Sequence, residues 1–156
     1  MSGILRGAIA GAAGTTALNA VTYADMVVRA RPASSTPEQM VKKASDAARI
    51  DIPGHGDEEQ NRVQGLGPLV GIGVGASVGA VSGLIHHLLL SRGRRLPFLV
   101  GALLVGSAAM AASDLPMAAS GVSNPRSWSV KDWLSDAVPH LAYGLVTEAT
   151  LRLTEN

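Results

Sequence analysis

Apolar positions along this chain gather into four long runs, over residues 4–28, 66–90, 96–119 and 130–153, separated by shorter polar stretches. In the second run glycine recurs at every fourth position, Gly67, Gly71, Gly75, Gly79 and Gly83, with no charge between Leu66 and Ile85. In a helix in water each interior Gly costs ~1 kcal/mol relative to Ala. In a bilayer the backbone must bond to itself in any case, and the penalty shrinks. A spacing of four lines the glycines into a shallow groove that a second backbone can approach closely. A flexible Gly-rich linker would not be this hydrophobic. The pattern therefore predicts a transmembrane helix with a glycine zipper.

The first run, 4–28, is long enough to span, since about 20 residues cross the hydrocarbon core. Arg6 and the small residues near Ala17 resemble a signal peptide, but the apolar pattern continues past them, so a retained helix is expected. Gly7 and Gly11, followed by Gly14, give it a small-residue face, and Thr15, Asn19 and Thr22 share a stripe suited to protein rather than lipid. The third run, 96–119, opens at Pro97 and carries Gly101 and Gly106; Asp114 and Pro116 interrupt its far end, where Asp114 is expected to stay hydrated. The fourth, 130–153, is the least apolar. Asp132, Asp136, His140, Tyr143 and Thr147 make one face polar for its whole length, and Pro139 should kink it. It either spans with that stripe turned inward or lies in the interface. Its length and the anchors Trp128 and Trp133 favour spanning.

Residues 29–64 form the one sizeable extramembrane piece. Within it Thr36, Pro37 and Gln39 mark a helix start, and a short amphipathic helix is expected over 37–49. His55 and Asp57 follow in a Gly-rich turn, too few ligands for a metal site. The fold class is thus all-α: a polytopic membrane bundle of about four transmembrane helices, in one membrane domain over 1–156, with the lipid bilayer as its solvent.

Composition agrees. Aromatic residues are 3% and charged residues 16% of the 156, and Gly and Ala carry much of the apolar count, as where helices pack through small residues. The net charge of +1 gives no support for nucleic-acid binding. Without cysteine there is neither a disulfide nor a Cys-based metal site. The dense turn Arg92, Arg94 and Arg95 would face the cytoplasm, placing both termini inside a bacterial plasma membrane. The basic residues of 29–64 argue the other way.

Candidate chemistry is sparse. Asp136 and His140 lie one turn apart, so the carboxylate could hold the imidazole in one tautomer; with Tyr143 and Asn19 they would form a polar interior or a proton relay. The plainer reading is that these groups satisfy one another and fix helix register. His86 and His87 point about 100° apart and belong at the headgroups; Glu148 and Arg152 are spaced for a local ion pair. There is no Gly-x-Ser-x-Gly elbow, His-Glu-x-x-His or P-loop. No catalytic residue, cofactor, metal or small-molecule substrate is therefore expected.

The order of parts resembles the YagU-like family of small bacterial inner-membrane proteins. The resemblance is carried by the small-residue first helix leading to a Pro-containing loop (7–33), by the segment Leu99-Val100-Gly101-Ala102-Leu103 with Leu115-Pro116-Met117, and by Asp136 with His140-Leu141. It implies a four-helix membrane protein and no mechanism. The expected function is that of a structural or assembly subunit acting through close helix packing, as a homo-oligomer or within a larger membrane complex. A small transporter or channel component, proton-linked through the polar stripe, is the alternative.

Overall fold

A computed structural model of the chain describes residues 1–155 and is helical throughout its ordered elements. They are α1 (Gly3–Arg29), α2 (Thr36–Ala48), α3 (Asp57–Ser91), α4 (Phe98–Ala119) and α5 (Val130–Leu153), with a single 3-10 turn at Pro125–Ser127 before α5. Helices α1, α3, α4 and α5 alternate in direction, as three sets of contacts require. Gly3 meets Gly83 while Gly11 meets Gly75, so α1 and α3 are antiparallel. Gly14 meets Tyr143 while Arg6 donates to the Thr154 carbonyl, which makes α5 antiparallel to α1. Gly101 against Glu148 and Gly106 against His140 set α4 antiparallel to α5. Helix α1 therefore lies between α3 and α5, and α5 between α1 and α4, with a lighter contact from α3 to α4.

Local chemistry sets the ends. Ser2 caps α1 by accepting from the Leu5 amide, and Ala30 closes it in the left-handed conformation at φ 49°. Asp57, Glu58 and Glu59 occupy the first turn of α3, where carboxylates complement the positive end of the helix dipole. That turn begins well before the apolar run at Leu66, and the helix passes through Pro68 without ending. Ser129 starts α5 with a reciprocal capping box: its hydroxyl accepts from the Asp132 amide, and the Asp132 carboxylate accepts from the Ser129 amide. Pro139 is accommodated inside α5. The start of α2 differs by one residue from the sequence expectation. Ser35, not Thr36, precedes the helix, and the Gln39 side chain donates to the Ser35 hydroxyl.

The interior is made of small residues and the outside of large ones. Buried on α1 are Gly3, Gly7, Ala10, Gly11, Gly14 and Thr15; on α3 Val63, Gly67, Gly75, Gly79 and Gly83. Leu69, Val70, Ile72, Val81, Leu84 and Ile85 of α3, and Leu99, Leu103 and Leu104 of α4, face outward. Only a small apolar cluster, Val105, Ala109 and Tyr143 with Leu18 and Val78 against it, fills the centre. Two helices, α3 with 35 residues and α4 with 22, are long and apolar enough to cross a membrane. Just 17% of the most apolar stretch of α3 and 33% of that of α4 are buried, unlike the core helix of a soluble protein. Helices α1 and α5 do not reach that hydropathy; Thr15, Thr16, Asn19 and Thr22 in one, and Asp136, His140 and Glu148 in the other, dilute their apolar character.

Helix α2 lies beside the loop end of α3. Val41 is its buried residue, Pro37 covers Gly67, and the Gln60 amide donates to Glu38 at 3.2 Å. Met40 receives the Ser120 hydroxyl on its sulfur, tying α2 to the end of α4 as well.

Candidate functional site

The glycines expected to pack helices fall into distinct environments. A Cβ added to Gly79 would lie 2.5 Å from the Gly11 Cα and 2.6 Å from its nitrogen, and one on Gly83 would lie 2.6 Å from the Gly7 Cα. Those distances are far inside van der Waals contact, so the α1 and α3 backbones touch along this line. Gly75 faces Thr15 and Tyr143; its carbonyl accepts the Tyr143 hydroxyl at 2.6 Å. Gly67 instead lies against Pro37 of α2, and nothing among the described residues approaches Gly71. A second close approach, between α4 and α5, brings a Cβ on Gly144 to 2.8 Å from the Gly106 nitrogen.

Polar side chains collect at two levels of the bundle. Toward the loop end, His140 of α5 lies between two partners. Its Nδ1 is 2.8 Å from the Asp136 carbonyl oxygen and 3.3 Å from Asp136 Oδ1, while Nε2 lies 3.5 Å from the Ser113 hydroxyl of α4. Ser113 donates to the Met110 carbonyl at 2.9 Å and approaches Asp114 Oδ1 at 3.3 Å. Asp114 itself is buried, and the Ser113 hydroxyl lies between its carboxylate and His140 Nε2. The expectation that it stays hydrated near the interface does not hold. The helix continues through Pro116 to Ala119, which keeps Asp114 one full turn inside the packed part of α4.

The remaining members of the expected relay lie elsewhere. Tyr143 is fully buried, but its hydroxyl is committed to the Gly75 carbonyl of α3, and Asn19 is half-buried on α1. Thr147 is fully buried beside Gly14, and its hydroxyl finds no hydrogen-bond partner among the described residues. The structure thus brings Asp136 and His140 together and adds Asp114 and Ser113. It sends Tyr143 toward a different helix. A sequence signal for Asp114 exists: Ala102, Gly106, Met110 and Asp114 recur at a spacing of four, which places the acid on the face that carries the small residues.

At the opposite end the charges pair. Arg152 Nε donates to the buried Glu148 carboxylate at 2.8 Å, its Nη2 donates to the Leu96 carbonyl at 2.7 Å, and its guanidinium stacks over Phe98. His86 Nε2 lies 2.6 Å from Glu155 Oε1, and Arg95 reaches the other oxygen at 3.1 Å. His86 is therefore tied to the carboxyl-terminal segment, and His87, pointing elsewhere on α3, is exposed. Among the described residues no group of three or more His, Cys, Asp or Glu is arranged to hold a metal ion. Compared with protein families, curated proteins and solved structures, the chain matches none.

Proposed function

We propose that this chain is a small integral membrane protein with four spans and that it serves as a structural or assembly subunit, as a homo-oligomer or as an accessory to a larger membrane complex. The observation that carries the reading is the inverted interior. Large aliphatic side chains of α3 and α4 point outward along their length while glycine and alanine fill the contacts. In water such a surface is far larger than a monomeric protein normally exposes; in lipid it is at no disadvantage. Helices α1 and α5, of 27 and 24 residues, are long enough to cross and turn their polar residues toward neighbouring helices. Gly75, Gly79 and Gly83 act as a glycine zipper whose partner is α1 of the same chain, so the zipper makes the bundle rigid and leaves the outer faces for partners.

The amino end, the Arg92–Arg95 turn and the carboxyl end share one side of the bundle, and the density of arginine there supports a cytoplasmic placement in a bacterial plasma membrane. The likeness to the YagU-like family, which no family model supports, implies a four-helix membrane protein and adds no reaction. The test is the mass of the protein extracted gently from its native membrane together with whatever accompanies it. A homo-oligomer or a stable larger assembly is the expected result, and a lone monomer at native concentration would overturn the assembly role.

A transporter component is the second reading, favoured by one observation: Asp136 and His140 pair on α5 against Ser113 of α4, beside the buried Asp114. On that reading Asp136→Asn with His140→Ala abolishes flux in reconstituted vesicles, whereas on the first it only lowers stability.

A further inference from the structure

We infer that Arg92 and Arg94, together with the outer face of α3 beneath them, form a binding site for one anionic phospholipid. The site rests on the membrane reading above and adds a ligand to it.

Helical register supplies the first half of the site. At about 100° per residue, Val81, Ile85, Leu88 and Arg92 fall within about 60° of one another around the axis of α3. They lie on the side opposite Gly79 and Gly83, which face α1. Val81, Ile85 and Leu88 are all exposed, and Arg92 closes the helix at the head of their stripe. From Val81 to Arg92 the stripe rises about 16 Å, close to half of the ~30 Å hydrocarbon core. One acyl chain therefore runs along it through a single leaflet, with its headgroup level with Arg92. The carbonyls of Leu89 and Leu90 would repel a phosphate at this helix end, but they accept the amides of Arg92, Gly93 and Arg94.

Charge selects the headgroup. At this end of the bundle five arginines, Arg6, Arg92, Arg94, Arg95 and Arg152, meet two carboxylates, Glu148 and Glu155. Both carboxylates are engaged, Glu148 by Arg152 and Glu155 by His86 and Arg95, and Arg6 donates to the Thr154 carbonyl. Arg92 and Arg94 are exposed, and among the described residues they form neither an ion pair nor a side-chain hydrogen bond. Gly93, left-handed at φ 67°, turns the chain between them. Two guanidiniums flanking one glycine, with no internal acid to hold them, match the oxygens of a phosphodiester. A zwitterionic headgroup brings its own cation to the same place, whereas an anionic one does not.

The headgroup stays outside the bundle. Behind the turn lies a cavity of ≈ 30 Å³ bordered by Leu89, Arg94, Glu148 and Glu155. It has room for little more than water, and its carboxylates repel a phosphate. The anion is therefore held on the outer side of the turn, directly above the apolar stripe. Free phosphate could use the guanidiniums alone; the stripe gives the advantage to a lipid.

The experiment titrates the full chain, in uncharged detergent micelles, with phosphatidylglycerol and with phosphatidylcholine of the same acyl chains, and counts bound lipid by native mass spectrometry. The expected result is one phosphatidylglycerol per chain, held about 30-fold more tightly than phosphatidylcholine at about fivefold per arginine. Arg92→Gln and Arg94→Gln each weaken it about fivefold, and the double variant binds the two lipids alike. Lys42→Gln, on the exposed surface of α2, leaves the preference intact. Equal binding of both lipids by the unmutated chain would overturn the site, and that comparison needs no variant to fold. A preference that survives the double variant, or that Lys42→Gln removes as well, would also overturn it. So would displacement of the lipid by inorganic phosphate beyond that caused by chloride at equal ionic strength. Alkaline carbonate washing of native membranes tests the membrane reading separately. A chain that stays in the bilayer without lipid preference removes the site alone; a chain that is released removes both.

Discussion

Replacing Gly79 by alanine tests the α1–α3 contact with the smallest possible change. The new methyl would sit 2.5 Å from the Gly11 Cα and 2.6 Å from the Gly11 nitrogen, and it would overlap the Gly7 carbonyl as well. Ordinary contact begins near 3.4 Å, so the helices must part locally by about 1 Å, and no flexible side chain is available to give way. Overpacking of this kind costs ~1–3 kcal/mol, and backbone on both sides puts Gly79 at the upper end. Against this stands the gain in helix propensity, ~1 kcal/mol in water and less in lipid. The net expectation is a loss of ~2 kcal/mol. Gly73, which nothing among the described residues approaches, is the matched control; there alanine should be neutral or stabilising by up to ~1 kcal/mol. Reversible unfolding in mixed micelles, followed by energy transfer between labels on α1 and α3, gives both values. Equal stability for the two variants would refute the claim that the backbones touch at Gly79.

Other changes probe the remaining contacts. Tyr143→Phe removes the hydroxyl that donates to the Gly75 carbonyl at 2.6 Å and should cost ~1 kcal/mol in the same unfolding assay; no change would mean the bond contributes nothing against its unfolded alternatives. Arg152→Ala leaves the Glu148 carboxylate buried without its partner. Breaking fully buried pairs costs ~3–5 kcal/mol, and the partial exposure of Arg152 brings the expected loss to ~2 kcal/mol. Adding Glu148→Gln should recover part of it, and a double variant no better than the single one would contradict the charge argument.

Much of the architecture was legible because helix ends and helix interiors follow different rules. Uncharged runs marked the cores of α1, α3 and α4, and the long polar face with its Trp anchors marked α5. The early start of α3 at Asp57 was hidden because the helix was expected only over the apolar run 66–90. The acidic first turn and the cover provided by α2 over Gly67 carry it back to Asp57. Rotation about the axis was harder to see. Helix α4 is apolar nearly all round, so hydrophobicity does not say which side faces protein, and the proximity of Pro116 drew Asp114 toward the interface. The small residues at four-residue spacing carried that information instead. Likewise Asp136 and His140 were legible as a pair because they lie on one helix. Their partners on α4 depend on tertiary register, which no local pattern encodes.

The order in which the four long helices touch has a consequence for how the protein is made. The two helices that fall short of the spanning hydropathy, α1 and α5, each lie between two others, while the strongly apolar α3 and α4 each pack mainly on one. Helix α1 thus leaves the ribosome before the glycines it packs against, Gly75, Gly79 and Gly83, have been made. The small-residue face of α1 is covered only when α3 arrives. Synthesis halted before residue 83 would leave α1 without part of the backbone surface that covers its glycines.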